Sequence, residues 1–382
     1  MKKAVNSVDI KKMNRNRVFR YMNENEQTSM SEIASALSIS GPTVLSIVNE
    51  LKEAGLVCEA GEFSSTGGRK AKAFATIKDA AYAIGIDITR HHVGITYTDL
   101  NRKALGYERI RKVFSNTAIY FIEVAELIRS FVAKHEIDEE KIIGLGISVA
   151  GIVDRTNMYI PKSHVLDLEN ISFDNWTKHL PYECEVLNDA KAAAIAECHD
   201  LEKTGAIIYL ALSNSVGGAV VFDMDGHSAV SEKLYAGDNW RSGEFGHVQV
   251  EADGEICYCG KKGCLDSYCS AYNLAGMSGG RLEDFFDDLA SGSEKHKRAW
   301  EQYMKYLAVA VGNFRMCMDC DIILGGYVGG FMEPYMGQFR KLVAEHDIFD
   351  KEANYVKAGH YKKEAAALGA AILWMDRYIA QI

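Results

Sequence analysis

No apolar run in these 382 residues approaches the roughly 18 that a membrane-spanning helix needs. The longest, Ala365 to Met375, is short and mostly Ala and Gly. The opening MKKAVNSVDIKKMNRNR carries positive charge with no apolar stretch behind it, so no signal peptide is expected. These absences point to a cytoplasmic protein with no membrane partner. An evenly spread cysteine framework is also missing. The nine cysteines are odd in number, and three crowd into Cys257–Cys264. In a reducing compartment such clustering points to metal before disulfide. What is present is ordinary globular composition, 48% hydrophobic and 25% charged, in a chain long enough for two or three domains.

Charge divides the chain. Residues 1–78 hold twelve Lys and Arg against eight Asp and Glu, and the rest hold 31 against 44. Seven of the basic residues, Lys2, Lys3, Lys11, Lys12, Arg15, Arg17 and Arg20, precede Tyr21. A basic head on an acidic body suits a segment that meets phosphate. By itself the charge fits a solvated helix face equally well.

Local signals favour the first reading. Val18, Phe19 and Met22 share one helical face. Ser29 or Ser31 can cap a second helix whose apolar face is Ile33, Ala34 and Leu37. After the short turn Ser38-Ile39-Ser40, Ser40 stands at the N-cap position of a third helix. Pro42 fits its first turn, and Val44, Ile47, Val48 and Leu51 form its buried stripe. That helix should run to about Ala54 and stop at Gly55. The order is that of a helix-turn-helix, with Gly41, Pro42, Thr43, Leu45, Ser46 and Asn49 facing a major groove. Gly61 to Lys72 reads as a β-hairpin wing, in which Gly67-Gly68 turns and Arg69 and Lys70 meet phosphate. The recognition helix has no Arg or Lys before Lys52. Base readout therefore falls to Thr43, Ser46 and Asn49, with apolar contact from Leu45. The competing reading is a small helical bundle for protein contact.

From Tyr82 the pattern becomes α/β. Buried strands are expected at Ala83–Ile88, Val93–Thr98, Ile142–Val149, within Ala206–Phe222 and at Ile322–Leu324, with a long helix over Ala118–His135. His247-x9-Cys257-x-Cys259-x4-Cys264 offers one imidazole and three thiolates, a closed tetrahedral set for one structural Zn2+ per chain. Cys317-x-x-Cys320 has no second pair nearby and reads as two ordinary thiols. Cys58, Cys184, Cys198 and Cys269 suggest no function.

Several further motifs run the length of the chain: Gly85-Ile86-Asp87, Asn188-Asp189-Ala190, Gly217-Gly218, Gly243-Glu244-Phe245-Gly246-His247 and Leu324-Gly325-Gly326. With the cysteine motif and the Gly67-Gly68-Arg69 wing, the sequence resembles the ROK family of sugar kinases and their repressor relatives. It is most similar to the repressors with an N-terminal winged helix. The resemblance implies a winged helix-turn-helix over 1–79 and a ROK sugar-kinase-like domain over 80–382. The latter would be a two-lobed, actin-like (ribonuclease H-like) ATPase fold with a cleft between its lobes and a zinc motif at 247–264. It also implies a sugar site. The family's Asn-Asp pair, the Glu and His of Glu-x-x-His, and a Glu two residues after the last zinc cysteine fall on Asn188, Asp189, Glu244, His247 and Asp266. Asp266 departs from that pattern, being shorter by one carbon–carbon bond, about 1.5 Å. His247 would serve sugar with one ring nitrogen and zinc with the other. Asp189 would be the general base of a kinase, or simply the N-cap of the helix that follows it.

The ATP half departs further. The family's Asp-x-Gly-Gly-Thr reads Asp87-Ile88-Thr89-Arg90-His91 here, and Gly-Thr-Gly-x-Gly-Gly reads Ser213-Asn214-Ser215-Val216-Gly217-Gly218. Glycines that admit phosphate to backbone N–H groups are replaced by side chains, so Asp189 would be a vestigial base. Arg90 is the one replacement that can itself pair with phosphate. The expected function is a sequence-specific DNA-binding regulator of carbohydrate metabolism genes, a repressor in type. It would act as a homodimer or dimer of dimers on operator DNA, under control of a sugar or sugar phosphate. The alternative is an active ATP-dependent sugar kinase with an appended DNA-binding head. A third reading makes the winged helix a protein-interaction module.

Overall fold

Capping and periodicity decide the N-terminal elements. The computed structural model describes residues 7–63, 71–201, 205–224 and 229–382. The first helix, Ser7–Glu24, is longer than its apolar face alone indicated. Met30–Leu37 is closed by a reciprocal capping box between Ser29 and Glu32, so Ser29 is the cap and Ser31 is not. Gly41–Glu53 follows at 118° to it, within the usual helix-turn-helix range. Gly55, at φ +70°, supplies the left-handed residue that ends this helix. Ser40 occupies the N-cap position but makes no cap bond to the backbone. Its hydroxyl instead meets that of Thr43 at 2.7 Å. Strands β1 (Val57–Glu62) and β2 (Lys72–Thr76) pair antiparallel as the hairpin. The tip with Gly67, Gly68, Arg69 and Lys70 lies outside the described residues.

Two large sheets and one small sheet follow. The first contains β3 (Tyr82–Ile88), β4 (His92–Thr98), β5 (Gly106–Arg111), β6 (Ile142–Val149) and β10 (Cys184–Asn188), in the order β10-β6-β3-β4-β5. A small antiparallel sheet of β7 (Ile152–Asp154), β8 (Tyr159–Ser163) and β9 (Leu168–Ser172) sits on its rim. The second large sheet, β12-β11-β13-β14, comprises β11 (Gly205–Leu212), β12 (Val216–Met224), β13 (Asp321–Gly325) and β14 (Val356–Ala358). The expected Ala118–His135 helix is Ala118–Lys134.

Two helices join the lobes. Asp189–Cys198 leaves the end of β10, and Ala365–Gln381 packs on both that helix and the first sheet. The packing is close because glycines admit it. A Cβ on Gly85 would stand 1.8 Å from the Ala367 carbonyl oxygen, and one on Gly369 would stand 1.7 Å from that of Ala192. Ala365–Met375, the longest apolar run in the sequence, is thus a core helix. Among the described residues no single helix is long and apolar enough to cross a membrane.

The head does not swing free. Val18, Phe19, Met22, Ile47 and Leu51 share one apolar cluster with Ala83, Leu100, Trp374, Met375 and Ile379. Asn16 Nδ2 donates to the Ile379 carbonyl. Asn23 Nδ2 donates to the Leu100 carbonyl at 2.8 Å, and Lys78 Nζ donates to the Asn23 carbonyl at 2.7 Å.

Candidate functional site

The DNA-facing candidates form one exposed strip. Ser40, Pro42, Thr43, Leu45, Ser46 and Asn49 are all exposed, while Val44, Ile47, Val48 and Leu51 are fully buried beneath them. Leu45 is 46% exposed, a hydrophobe left uncovered on the outer face. Part of the basic charge is engaged within the head: Lys11 pairs with Glu50 at 2.9 Å, and Arg17 Nη2 donates to the Leu37 carbonyl at 3.1 Å. Exposed pairs of this kind are worth at most about 1 kcal/mol, so phosphate can displace them.

His247, Cys257, Cys259 and Cys264 come together with their ligating atoms all within 4.8 Å of one another. Cys259 Sγ lies 3.7 Å from Cys264 Sγ, and Cys257 Sγ lies 3.8 Å from His247 Nδ1. A tetrahedron with metal–sulfur bonds of about 2.3 Å has edges of about 3.8 Å, so the donor set fits zinc. Cys317 is exposed and Cys320 is buried, and neither belongs to this cluster.

The cleft between the sheets is divided in two. The smaller cavity, about 260 Å³, is lined by Asn188, Asp189, Lys191, Glu244 and His247. The larger, about 1070 Å³, is lined by Asp87, Arg90, Arg109, Asp189, Asp266 and Tyr327 among others. Of the five residues implied for sugar, four therefore line one cavity and Asp266 lines the other. Of these five, Asp189 alone lines both.

The reason lies in local hydrogen bonding. Asp266 is buried, and its Oδ1 accepts the Val216 N–H at 2.5 Å. Asn188, not Asp189, caps its helix: Oδ1 accepts from Lys191 N at 2.9 Å. Its Nδ2 donates to the Gly151 carbonyl and to Asp189 Oδ1, both at 3.0 Å. Asn188 thereby orients Asp189. Burial pushes the Asp189 carboxyl up to about 6, against the bonds from Ala190 N–H and Asn188 that lower it. Burial, and next the Asp189 charge, push Asp87 up to about 7, while the Ser148 hydroxyl at 2.8 Å pulls it back. Desolvation raises Glu244, and Lys191 partly offsets this.

Thr89, Arg90 and Ser213 line the larger cavity. Thr89 Oγ1 closes the β3–β4 turn by donating to the His92 carbonyl at 3.0 Å. Arg90 Nη1 donates to the Val165 carbonyl at 3.1 Å. Ser213 Oγ accepts from Tyr327 N at 3.4 Å. Arg109 of the first sheet stacks over the Tyr327 ring at 5.4 Å, crossing from one lobe to the other.

Sequence reasoning missed Tyr258, His164 and Lys191. Tyr258 Oη lies 3.3 Å from His247 Nε2, the atom expected to face sugar. The His164 ring approaches Tyr258 from the rim sheet at 5.7 Å. Tyr258 was legible in one respect: it stands between two cysteines of the metal-fitting set. His164 carries no local signal.

Comparison with known proteins agrees with this geometry. A winged helix-turn-helix DNA-binding model matches residues 14–57, and the ROK family model matches residues 83–377. The chain is 27% identical over 266 residues to the xylose repressor of Bacillus subtilis, which covers 68% of this chain and 66% of the repressor. It is 30% identical over 194 residues to the N-acetylmannosamine kinase of Citrobacter koseri, covering 49% of this chain and 63% of the kinase. The matched stretch is thus slightly under two thirds of the length of these curated relatives. A crystal structure of a ROK family transcriptional regulator, a homologue of the Escherichia coli MLC protein, superposes with a TM-score of 0.73 at 18% identity, covering 97% of each chain. A family match spanning both sheets, the cleft and the zinc-fitting cluster makes this chain a member of the ROK family.

Proposed function

We propose that this protein is a DNA-binding transcriptional regulator, a repressor of carbohydrate metabolism genes, whose cleft binds a monosaccharide or its phosphate as effector. The observation that carries the proposal is the joining of two features by one shared core. One is a winged helix with an uncovered recognition face. The other is a kinase-like cleft in which Asn188, Asp189, Glu244 and His247 line one cavity and Thr89, Arg90 and Ser213 line the other. In this reading the boundary between the two units is 79/80, within the turn Lys78–Ala80 that links the hairpin to β3.

Within this reading, Asp189, Glu244 and the His247 face of the small cavity bind the sugar. Asn188 orients Asp189. A volume of about 260 Å³ lies below the roughly 300 Å³ lower end of drug-sized pockets and suits one small ring. His247, Cys257, Cys259 and Cys264 would hold zinc. When bound, zinc tethers the Glu244–His247 turn to the Cys257–Cys264 loop. Dimeric binding places two winged helices on a roughly palindromic operator with half-sites about one or two DNA turns apart.

The test is an operator titration with and without sugars. Arg69→Ala should weaken binding to all sequences and flatten the salt slope by about 1, whereas Ser46→Ala or Asn49→Ala should change base preference. Glu244→Ala and Asp189→Ala should remove the sugar response. A wild-type-like response in both cleft variants places the effector elsewhere.

The 30% identity to a sugar kinase keeps a second reading in view, with Asp189 as general base. ADP release coupled to a sugar panel decides between the two. Turnover above that of Asp189→Ala establishes the kinase.

A further inference from the structure

The five residues that the family pattern brings to one sugar do not line one cavity in this chain. The reason is a short side chain. Asp266 lacks the reach of a glutamate, and its carboxylate is taken up by the Val216 N–H at 2.5 Å. It faces the larger cavity and is absent from the wall of the smaller one. A sugar in the smaller cavity is therefore missing one polar partner on the side of the zinc-fitting loop.

Tyr258 stands on that side. It lines both cavities, as does His164. The flanking residues Cys257 and Cys259 belong to the metal-fitting set, so the backbone that carries the ring is held at both ends. The phenol oxygen lies 3.3 Å from His247 Nε2, and the two rings meet edge-to-face at 5.3 Å. His247 Nδ1 is turned to the Cys257 thiol, which leaves Nε2 as the nitrogen toward the cleft. That nitrogen already has a partner in the phenol. Yet the Tyr258 side chain is not packed away: it remains 53% exposed. A large aromatic ring held at both ends, half uncovered, with its hydroxyl at the wall of a sugar-sized cavity, has the amphipathic character of a ligand-contacting residue.

We propose that Tyr258 is an effector-binding residue that takes the place of the shortened acid at position 266, presenting its hydroxyl to a ring hydroxyl of the monosaccharide and passing that contact on to His247. The ligand class is a pyranose or pentose, free or phosphorylated, with a hydroxyl directed at the Cys257–Cys264 loop. The inference rests on the reading of the cleft as an effector site. It adds a residue that the family pattern does not contain, and it makes selectivity at this position depend on a neutral phenol rather than a carboxylate. A phenol donates one hydrogen bond and accepts others, whereas an ionised carboxylate only accepts. The site should therefore tolerate a ligand acceptor, such as an amide carbonyl, where a glutamate would repel it.

The experiment uses the full-length, metal-loaded protein. Probes are D-xylose, D-glucose, N-acetyl-D-glucosamine and their terminal phosphate esters, with binding read by calorimetry and thermal shift. Metal content and circular dichroism are checked for every variant. Wild type, Asp189→Ala, Tyr258→Phe and Tyr258→Ala are compared. For the sugar that wild type binds, Tyr258→Phe should bind about 2- to 13-fold more weakly, the range of a single hydrogen bond. Tyr258→Ala should bind more weakly still. The deoxy analogue lacking the contacted hydroxyl should bind wild type and Tyr258→Phe equally. Tyr258→Phe binding within twofold of wild type, while Asp189→Ala binds no sugar, overturns the role of Tyr258 and leaves the effector cleft standing. Wild type binding none of the probes overturns the cleft reading and this inference with it.

Discussion

Asp87 and Asp189 both line the larger cavity, and the Asp189 charge raises the cost of ionising Asp87. Burial is the larger cause at both, with the Asp189 charge next at Asp87. An acid whose folded pKa lies above its unfolded 3.8 keeps its proton in the folded state while the unfolded chain releases it. Its contribution to stability is greatest below about pH 4 and declines as pH rises through about 7. Asp87→Asn removes this loss and keeps an acceptor for the Ser148 hydroxyl. The variant should gain on the order of 2 kcal/mol over wild type at pH 8, and little at pH 4. Urea denaturation at the two pH values checks this, and equal gains at both would place the effect outside Asp87 ionisation. Asn188 shows the same economy of function. One amide caps a helix, anchors to the Gly151 carbonyl and aims a carboxylate.

At the scale of elements, the loop from Glu255 to Cys264 has little apolar content to hold it. Ile256 is 73% exposed, and Gly260 and Gly263 take positive φ. Short backbone bonds close the loop, among them Cys257 N to the Lys261 carbonyl at 2.7 Å. A metal held by the four converging side chains would supply what packing does not. Protein purified without added metal should carry about one zinc per chain. Chelation should lower the unfolding midpoint and weaken sugar binding together, because the same loop carries Tyr258 and adjoins Asp266. Metal analysis with thermal melts before and after chelator tests this. Folded protein with less than a tenth of a zinc per chain would falsify the assignment.

For the whole molecule, the question is how the cleft reaches the DNA-facing strip. The short link Lys78–Ala80 is one route, leading straight into β3 and Asp87. The C-terminal helix is a second. It packs against the helix that starts at Asp189, crosses the first sheet and ends inside the core of the head. Its Asp376 is 1% exposed, pairs with Arg102 at 3.3 Å and lies near Arg20 of the first helix. A ligand shifts DNA binding only by its differential affinity for two lobe arrangements, and a helix packed this tightly transmits such a shift as a rigid body. Met375 is fully buried in the shared cluster. Met375→Ala should cost about 2–5 kcal/mol of stability. It should also shrink the change in operator affinity on adding sugar, which for couplings of this kind is commonly about 5- to 150-fold. An undiminished sugar response in folded Met375→Ala would assign the coupling to the Lys78–Ala80 link alone.

The sequence by itself determined what depends on near neighbours. Helix caps at Ser29 and Gly55, the buried stripe Val44, Ile47, Val48 and Leu51, and the alternation of strands and helices after Tyr82 follow from local propensity and periodicity. The Cys3His set was legible because its three thiols fall within eight residues and their chemistry has few other uses. Thr89, Arg90 and Ser213 were legible as departures from the phosphate loops of the family that the sequence resembles. Only the tertiary structure decided what depends on partners far apart in the chain. It turned Asp266 to the Val216 N–H, fifty residues away, and onto the wall of the larger cavity. It gave the helix cap to Asn188 rather than Asp189, set Tyr258 against His247 and His164, and ran the C-terminal helix into the core of the head. A side chain's direction is fixed by whichever long-range donor or cavity reaches it first, and residue type and spacing carry no record of that.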